Sequence, residues 1–227
     1  AGALSLIPKL SGDFILVYGD IIFDIYFEKF INFHISKKGL GSLLIHPNDH
    51  PQDSDLVQID NDSKVLSFLM KNEKKKLYKN NVNSGVFILN SKILEYISNS
   101  KLDLVNDIFP KVLFDKKELY GYESSEYVKD MGTPNRIREI EKALFSGEVS
   151  LKNLRNYQKA VFIDRDGVIN KEVDNLVEID DFELLSGVKE AIELLNKSFY
   201  LAIVITNQPA VAKGFCSIET IHSINMK

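Results

Sequence analysis

Apolar residues in this chain fall into short runs separated by stretches with helical spacing. Ala160-Val161-Phe162-Ile163 has the length and β-branched character of a buried strand, and Gly167 marks the chain turning out of it. Ser186-Gly187 then opens a helical pattern with Val188, Ala191, Ile192 and Leu195 on one face. A second apolar strand, Leu201-Ala202-Ile203-Val204-Ile205, follows and ends in Thr206-Asn207-Gln208. Strand, helix and strand make a βαβ unit, whose right-handed crossover sets the strands parallel with both carboxyl ends on one edge. In the first half, Phe14 to Tyr18 reads as a strand ending in Gly19-Asp20, and Val82 to Leu89 carries a second apolar run around Asn83-Ser84-Gly85. Thr133 is a good N-cap and Pro134 a good first residue for a helix through Ile137, Ile140 and Leu144. Ser217 can cap a last helical segment through Ile218, Ile221, His222 and Ile224.

Alternating strands and helices on both sides of a poorly periodic stretch predict an α/β protein of two units. The expected division is residues 1–146, a linker over 147–158, and 159–227. No internal repeat or low-complexity tract interrupts the pattern. A length of 227 residues accommodates this, and 44% hydrophobic with 26% charged residues is ordinary soluble composition. The net charge of −4 gives no reason to expect nucleic acid as a partner. No apolar run approaches the roughly 18 residues of a membrane span. The single cysteine excludes an intramolecular disulfide and fits a reducing compartment, so cytoplasm is the expected location.

Candidate chemistry sits at the strand ends. Asp164 and Asp166 close the Ala160 strand, on the edge of an open parallel sheet where ligands bind. One carboxylate can attack phosphorus to give an aspartyl-phosphate while the other handles protons. Mg²⁺ would offset repulsion between the nucleophile and a phosphate dianion. The plain alternative is a solvated Asp-x-Asp turn. Thr206 and Asn207, brought to the same edge, can donate hydrogen bonds to phosphoryl oxygens, and Lys213 can add positive charge. Cys216 reads as a buried or half-buried thiol, and His222 as a helix-surface residue. Asp20, leaving a strand after glycine, is a candidate Mg²⁺ ligand with a bound nucleotide, although Gly-Asp alone more often marks an ordinary strand-terminating turn. Lys71 opens a lysine-rich run that also reads as a solvated face, and His46 and His50 read as loop residues.

Asp164-Arg165-Asp166-Gly167-Val168-Ile169-Asn170, followed by Val204-Ile205-Thr206-Asn207-Gln208, resembles the first two motifs of the haloacid dehalogenase-like phosphatases, in the branch that acts on histidinol phosphate and heptose bisphosphate. The resemblance runs from Lys159 to Lys227. It implies Asp164 as nucleophile and metal ligand, Asp166 as acid/base with its carbonyl on Mg²⁺, and Thr206 and Asn207 as phosphate ligands. The family usually has Ser-Gly where this chain has Pro209-Ala210. Its later lysine, its last metal carboxylate and its structural Zn²⁺ loop are expected beyond these residues, so Cys216 and His222 are not counted as zinc ligands.

In the first half, the Gly19-Asp20 strand end, His46-Pro47-Asn48-Asp49-His50-Pro51, Asp53-Ser54-Asp55, Phe68 to Lys71, Asn83-Ser84-Gly85 and Asp130-Met131-Gly132-Thr133-Pro134 together resemble the sugar-phosphate nucleotidyltransferases that guanylylate mannose 1-phosphate and heptose 1-phosphate. This implies Asp20 and Asp130 as Mg²⁺ ligands, Lys71 on the sugar phosphate, Asn83 and Gly85 in the sugar pocket, and a sugar phosphate and a nucleoside triphosphate as small-molecule partners. The family's glycine-rich loop has no counterpart before Ser11. The expectation is therefore an internal piece of a two-enzyme polypeptide, inactive alone: a nucleotidyltransferase-type mixed sheet followed by the first βαβ part of a haloacid dehalogenase-like parallel sheet. A phosphatase that removes the 7-phosphate of heptose 1,7-bisphosphate would supply the heptose 1-phosphate that a nucleotidyltransferase activates. A histidinol-phosphate-type phosphatase and a noncatalytic sugar-nucleotide or phosphate-binding module are the alternatives.

Overall fold

The computed structural model describes residues 2–7, 10–48, 51, 54–70, 78–98 and 100–227. The chain divides into two compact units, with the change falling between Arg155 and Asn156.

The first unit is built on a six-stranded mixed sheet. Its strands are β1 (Asp13–Val17), β3 (Gly41–His46), β4 (Leu56–Ile59), β5 (Val65–Leu69), β6 (Val82–Asn90) and β7 (Leu119–Glu123), while β2 (Ile21–Asp24) lies outside this sheet. The order is β5-β4-β6-β3-β7, with β1 also antiparallel to β6, and β3 and β7 are the parallel pair. Strand β6 lies mid-sheet and is buried on both faces, which explains its nearly unbroken apolar sequence. Phe87 and Leu89 pack with Leu43, Ile45, Phe109, Val112 and Leu119 on one face, while Val86 and Ile88 join Leu44 and Phe30 on the other. Phe30 comes from α1 (Phe27–Lys37) and stacks on Tyr122 at 5.1 Å; Phe109 begins α2 (Phe109–Phe114). Within β6, Gly85 has φ +79°, and a Cβ there would lie 2.7 Å from the Tyr18 ring, so both backbone and space require glycine.

A separate antiparallel ribbon pairs β2 with β8 (Tyr127–Asp130), with Ile21 opposite Asp130 and Asp24 opposite Tyr127. Helix α3 (Pro134–Ser146) leaves this ribbon with Thr133 as N-cap, its side chain accepting from Arg136 N at 3.3 Å. Ile140 and Ala143 are its buried residues, whereas Ile137 and Leu144 are exposed. The stretch expected as a linker is packed into this unit through Arg155. It carries α4 (Glu148–Leu151), Asn153 donates to Asp24, and Arg155 lies over the Tyr26 ring. Glu126, 3% exposed, accepts from Tyr26 N at 2.6 Å, Leu154 N at 2.9 Å and Ser124 Oγ at 2.8 Å, which ties the ribbon to this stretch.

The second unit pairs β9 (Lys159–Asp164) with β10 (Tyr200–Ile205) in parallel, Asp164 opposite Ile205, with α5 (Val188–Lys197) as the crossover. Two strands and one helix leave apolar surface uncovered: Phe162, Val204, Ile205 and Leu194 are exposed. The unit's buried cluster is elsewhere, where Leu176 meets Ile221 and Ile224 of α7 (Ile218–Met226), beside Val211 of α6 (Pro209–Ala212) and Cys216. Ser217 caps α7 through Thr220 N, and His222 is exposed on it.

Candidate functional site

In the second unit the loop leaving β9 is a tight turn. Ile169 N and Asn170 N both donate to Arg165 O, at 2.8 and 3.1 Å, and Gly167 takes φ +75° to close it. This turn buries the Arg165 side chain beneath the loop and aims it at Asp166. Asp166 Oδ1 accepts from Arg165 Nε at 3.1 Å, Arg165 Nη2 at 2.9 Å and Asn170 Nδ2 at 3.1 Å. Its Oδ2 accepts from Arg165 Nη2 at 3.0 Å, Gln208 Nε2 at 2.5 Å and Thr206 Oγ1 at 3.4 Å. Gln208 also reaches Thr206 Oγ1 at 2.7 Å. Burial pushes the Asp166 carboxyl up, but the bonds from Asn170, Arg165 and Gln208, with the Arg165 charge, outweigh it and hold the group below the usual carboxylate range.

The βαβ geometry thus brings Asp166 and Thr206 together across the ends of adjacent parallel strands. Asp164 is exposed at the end of β9, with Oδ1 accepting from Arg165 N at 2.7 Å and Oδ2 uncommitted among the described residues. Thr206 contacts Asp166, and no bond joins it to Asp164. Asn207 is exposed with no side-chain hydrogen bond among the described residues. Lys213 is not drawn into the cluster; its ammonium lies 5.9 Å from the Phe215 ring centroid. Arg165, Asn170, Gln208 and Asn225, whose Oδ1 accepts from Arg165 Nη1 at 2.9 Å, are the members that the sequence reading passed over. Asn170 is fully buried, and its Oδ1 has no partner among the described residues.

In the first unit the β2–β8 ribbon brings the backbone at Asp20 beside the end of β8 that carries Asp130. Asp130 closes β8 opposite Ile21, and Met131 N donates to Asp20 O at 2.7 Å. The Asp20 carboxylate is exposed and bonds to no described residue. Asp130 Oδ1 accepts from Gly132 N at 3.1 Å and Arg136 Nη1 at 2.5 Å, leaving Oδ2 uncommitted among the described residues. Asn83 Oδ1 accepts from Gly85 N at 3.3 Å, and Gly85 is covered by Tyr18. Lys71, with Asp49, His50 and Asp53, lies outside the described residues. A cavity of about 460 Å³ opens beside the ends of β3 and β7, lined by Ile45, Pro47, Asn81 and Ser124 among others, and neither Asn83 nor Gly85 lines it.

Among the described residues no group of three or more His, Cys, Asp or Glu side chains is placed to hold a metal. Each unit instead offers a small oxygen set with uncommitted atoms: Asp20 and Asp130 Oδ2 in the first, Asp164 Oδ2 in the second. Such a set suits Mg²⁺, which is usually held by one or two carboxylates together with water and substrate phosphates.

Comparison with known proteins finds relatives of two kinds. The family model described as "Nucleotidyl transferase" matches residues 1–147. The D-glycero-beta-D-manno-heptose-1,7-bisphosphate 7-phosphatase of Haemophilus ducreyi is 42% identical over 60 residues, 26% of this chain and 33% of that protein. The mannose-1-phosphate guanylyltransferase catalytic subunit beta of Drosophila pseudoobscura pseudoobscura is 24% identical over 132 residues, 58% of this chain and 35% of that protein. The chain therefore spans about a third of the length of these relatives. The crystal structure of HddC from Yersinia pseudotuberculosis complexed with GMP-PN superposes with a TM-score of 0.51 at 24% identity, covering 63% of this chain and 61% of that one, which shows a shared fold. With a mixed sheet of this type and a family match over most of its length, the chain belongs to the nucleotidyl transferase family.

Proposed function

We propose that this chain is part of a bifunctional enzyme that dephosphorylates heptose 1,7-bisphosphate and transfers a nucleotidyl group to the resulting heptose 1-phosphate. The observation that carries the first activity is the convergence of Asp166, Thr206 and Gln208 beside an exposed Asp164 at one end of a parallel strand pair. Asp164 Oδ2 is accessible for attack on phosphorus. The P–O bond to the sugar breaks as the Asp164–phosphorus bond forms, and the leaving sugar oxygen takes a proton from Asp166. Water then attacks the aspartyl-phosphate and gives its proton back to Asp166, releasing phosphate. The resting arrangement holds Asp166 as a carboxylate, so it takes up a proton from solvent before the first half and gives that proton to the sugar oxygen, returning to the carboxylate needed in the second half. Thr206, and Asn207 once substrate is present, would donate to the phosphoryl oxygens. Bound Mg²⁺, with Asp164 and the Asp166 backbone carbonyl as its protein ligands, would offset the repulsion between carboxylate and phosphate.

For the second activity, Asp20 and Asp130 would hold Mg²⁺ with the triphosphate, and Asn83, Gly85 and Lys71 would line the sugar side. The naming of heptose rests on the phosphatase relatives together with the guanylyltransferase relatives, because the product of one reaction is the acceptor of the other. The test is made on the full-length polypeptide containing both units. Phosphate release from heptose 1,7-bisphosphate and pyrophosphate release from GTP with heptose 1-phosphate are both expected, and D164N should abolish the first while sparing the second. Inactivity in both assays, or phosphatase activity indifferent to D164N, overturns the proposal.

A further inference from the structure

The carboxylate that closes β8 is engaged by a guanidinium. Arg136 occupies the third position of α3, its backbone N–H held by the Thr133 cap and its Nη1 2.5 Å from Asp130 Oδ1. Gly132 N donates to the same oxygen. A Cβ at Gly132 would sit 2.9 Å from Asp130 Oδ1 and 3.6 Å from Arg136 Nη1, so the backbone is folded tightly around this pair. Asp20, joined to this strand end by the bond from Met131 N to its carbonyl, has no cationic partner among the described residues. The acidic pair on the ribbon is thus half neutralised by the chain's own positive charge, and that charge sits on the residue a cation would need.

We infer that Arg136 guards the metal site of the first unit: it weakens the hold of Asp20 and Asp130 on a lone divalent cation, so the cation enters together with an anionic ligand able to draw the guanidinium away. The inference rests on the reading of Asp20 and Asp130 as the metal pair. A cation at Asp130 must either displace Arg136 from Oδ1 or bind Oδ2 beside a like charge, and both routes cost affinity. A polyphosphate removes the cost, because a planar guanidinium pairs with phosphate oxygens as well as with a carboxylate. The pair is partly exposed, with side-chain exposures of 32% for Arg136 and 41% for Asp130, so screening limits the effect. Removing the guanidinium should tighten cation binding roughly fivefold, the equivalent of an ion pair worth about 1 kcal/mol.

The probe is Mn²⁺ alone, followed by the loss of its free-ion paramagnetic resonance signal at low ionic strength. The chain carries D164N so that the candidate site of the second unit is silent. R136Q and R136M, with folding verified by circular dichroism, should each bind Mn²⁺ roughly fivefold more tightly than the Arg136 parent. Adding D20N or D130N should remove that binding. If neither uncharged variant gains affinity, including the case in which none binds, the guard does not exist. If the affinity rises but survives both D20N and D130N, the cation lies elsewhere and the metal reading of the pair fails instead.

Discussion

Replacing Arg165 by methionine tests the physical core of the second unit's site. Arg165 is 3% exposed, and its guanidinium is divided between the two oxygens of Asp166 and the Asn225 carbonyl of α7. Methionine fills much of the volume but leaves Asp166 without its counter-charge. Losing one partner of a fully buried pair costs about 3–5 kcal/mol. Asp166 is not sealed, its side chain being 22% exposed, and Asn170, Gln208 and Thr206 still donate to it. The expected cost therefore falls to about 2–3 kcal/mol. In a unit this short that lowers the melting temperature by roughly 10–20 °C. The sign with pH follows from the depressed Asp166 carboxyl. A lowered folded value contributes stability above the unfolded value of about 3.9 and loses it as pH falls through the folded value, so the penalty should be full at neutral pH and shrink in acid. Calorimetry on the parent, R165M, D166N and the double variant supplies the cycle, with a coupling of about 2 kcal/mol expected at neutral pH. A coupling near zero, or a penalty that does not shrink in acid, would show that the guanidinium does not compensate Asp166.

Other consequences can be measured independently. G85A forces a side chain into a positive-φ position 2.7 Å from the Tyr18 ring, so urea unfolding should show a loss of about 2–4 kcal/mol. T133A removes the cap of α3 and should cost about 1 kcal/mol in the same measurement, with no change in slope. The Tyr18 hydroxyl is pushed up to about 12 by burial and then by the charges of Asp103 and Asp20, and Tyr127 to about 12 by burial and then by Glu148 and Glu139. The unfolded chain loses these protons first, near 10, so stability should fall between about pH 10 and 12, and Y18F should flatten that fall. Ultraviolet titration of the parent should show a tyrosine component ionising near 12, and Y18F should reduce it.

The βαβ pattern around Asp164 was legible because strand length, helical spacing and turn residues all agree locally, and the parallel register follows from handedness. The cap at Thr133 and the cap at Ser217 were legible for the same reason. What escaped was set by distance and burial. Arg165 stands in the variable position of an Asp-x-Asp pattern, and a charged residue gives no local sign that it will be 3% exposed and paired with a residue 60 positions away. Gln208 carried a usable signal: in extended chain it shares a side with Thr206, two residues before it, and the two do meet the same carboxylate. Lys213 shows the converse, since proximity in sequence to Thr206 did not bring its ammonium to the cluster. The segment after Ser146 looked structureless because its hydrogen-bonding partners lie 28 and 129 residues away.

That segment also dictates how the nucleotidyl transferase half should be isolated. Ending an expression clone at Ser146 would strip the Glu126 carboxylate of its bond from Leu154 and the Asp24 carboxylate of its bond from Asn153, frayed at the very ribbon that presents Asp20 and Asp130. Ending it after Arg155 keeps the knot tied, so a soluble first half is to be sought there.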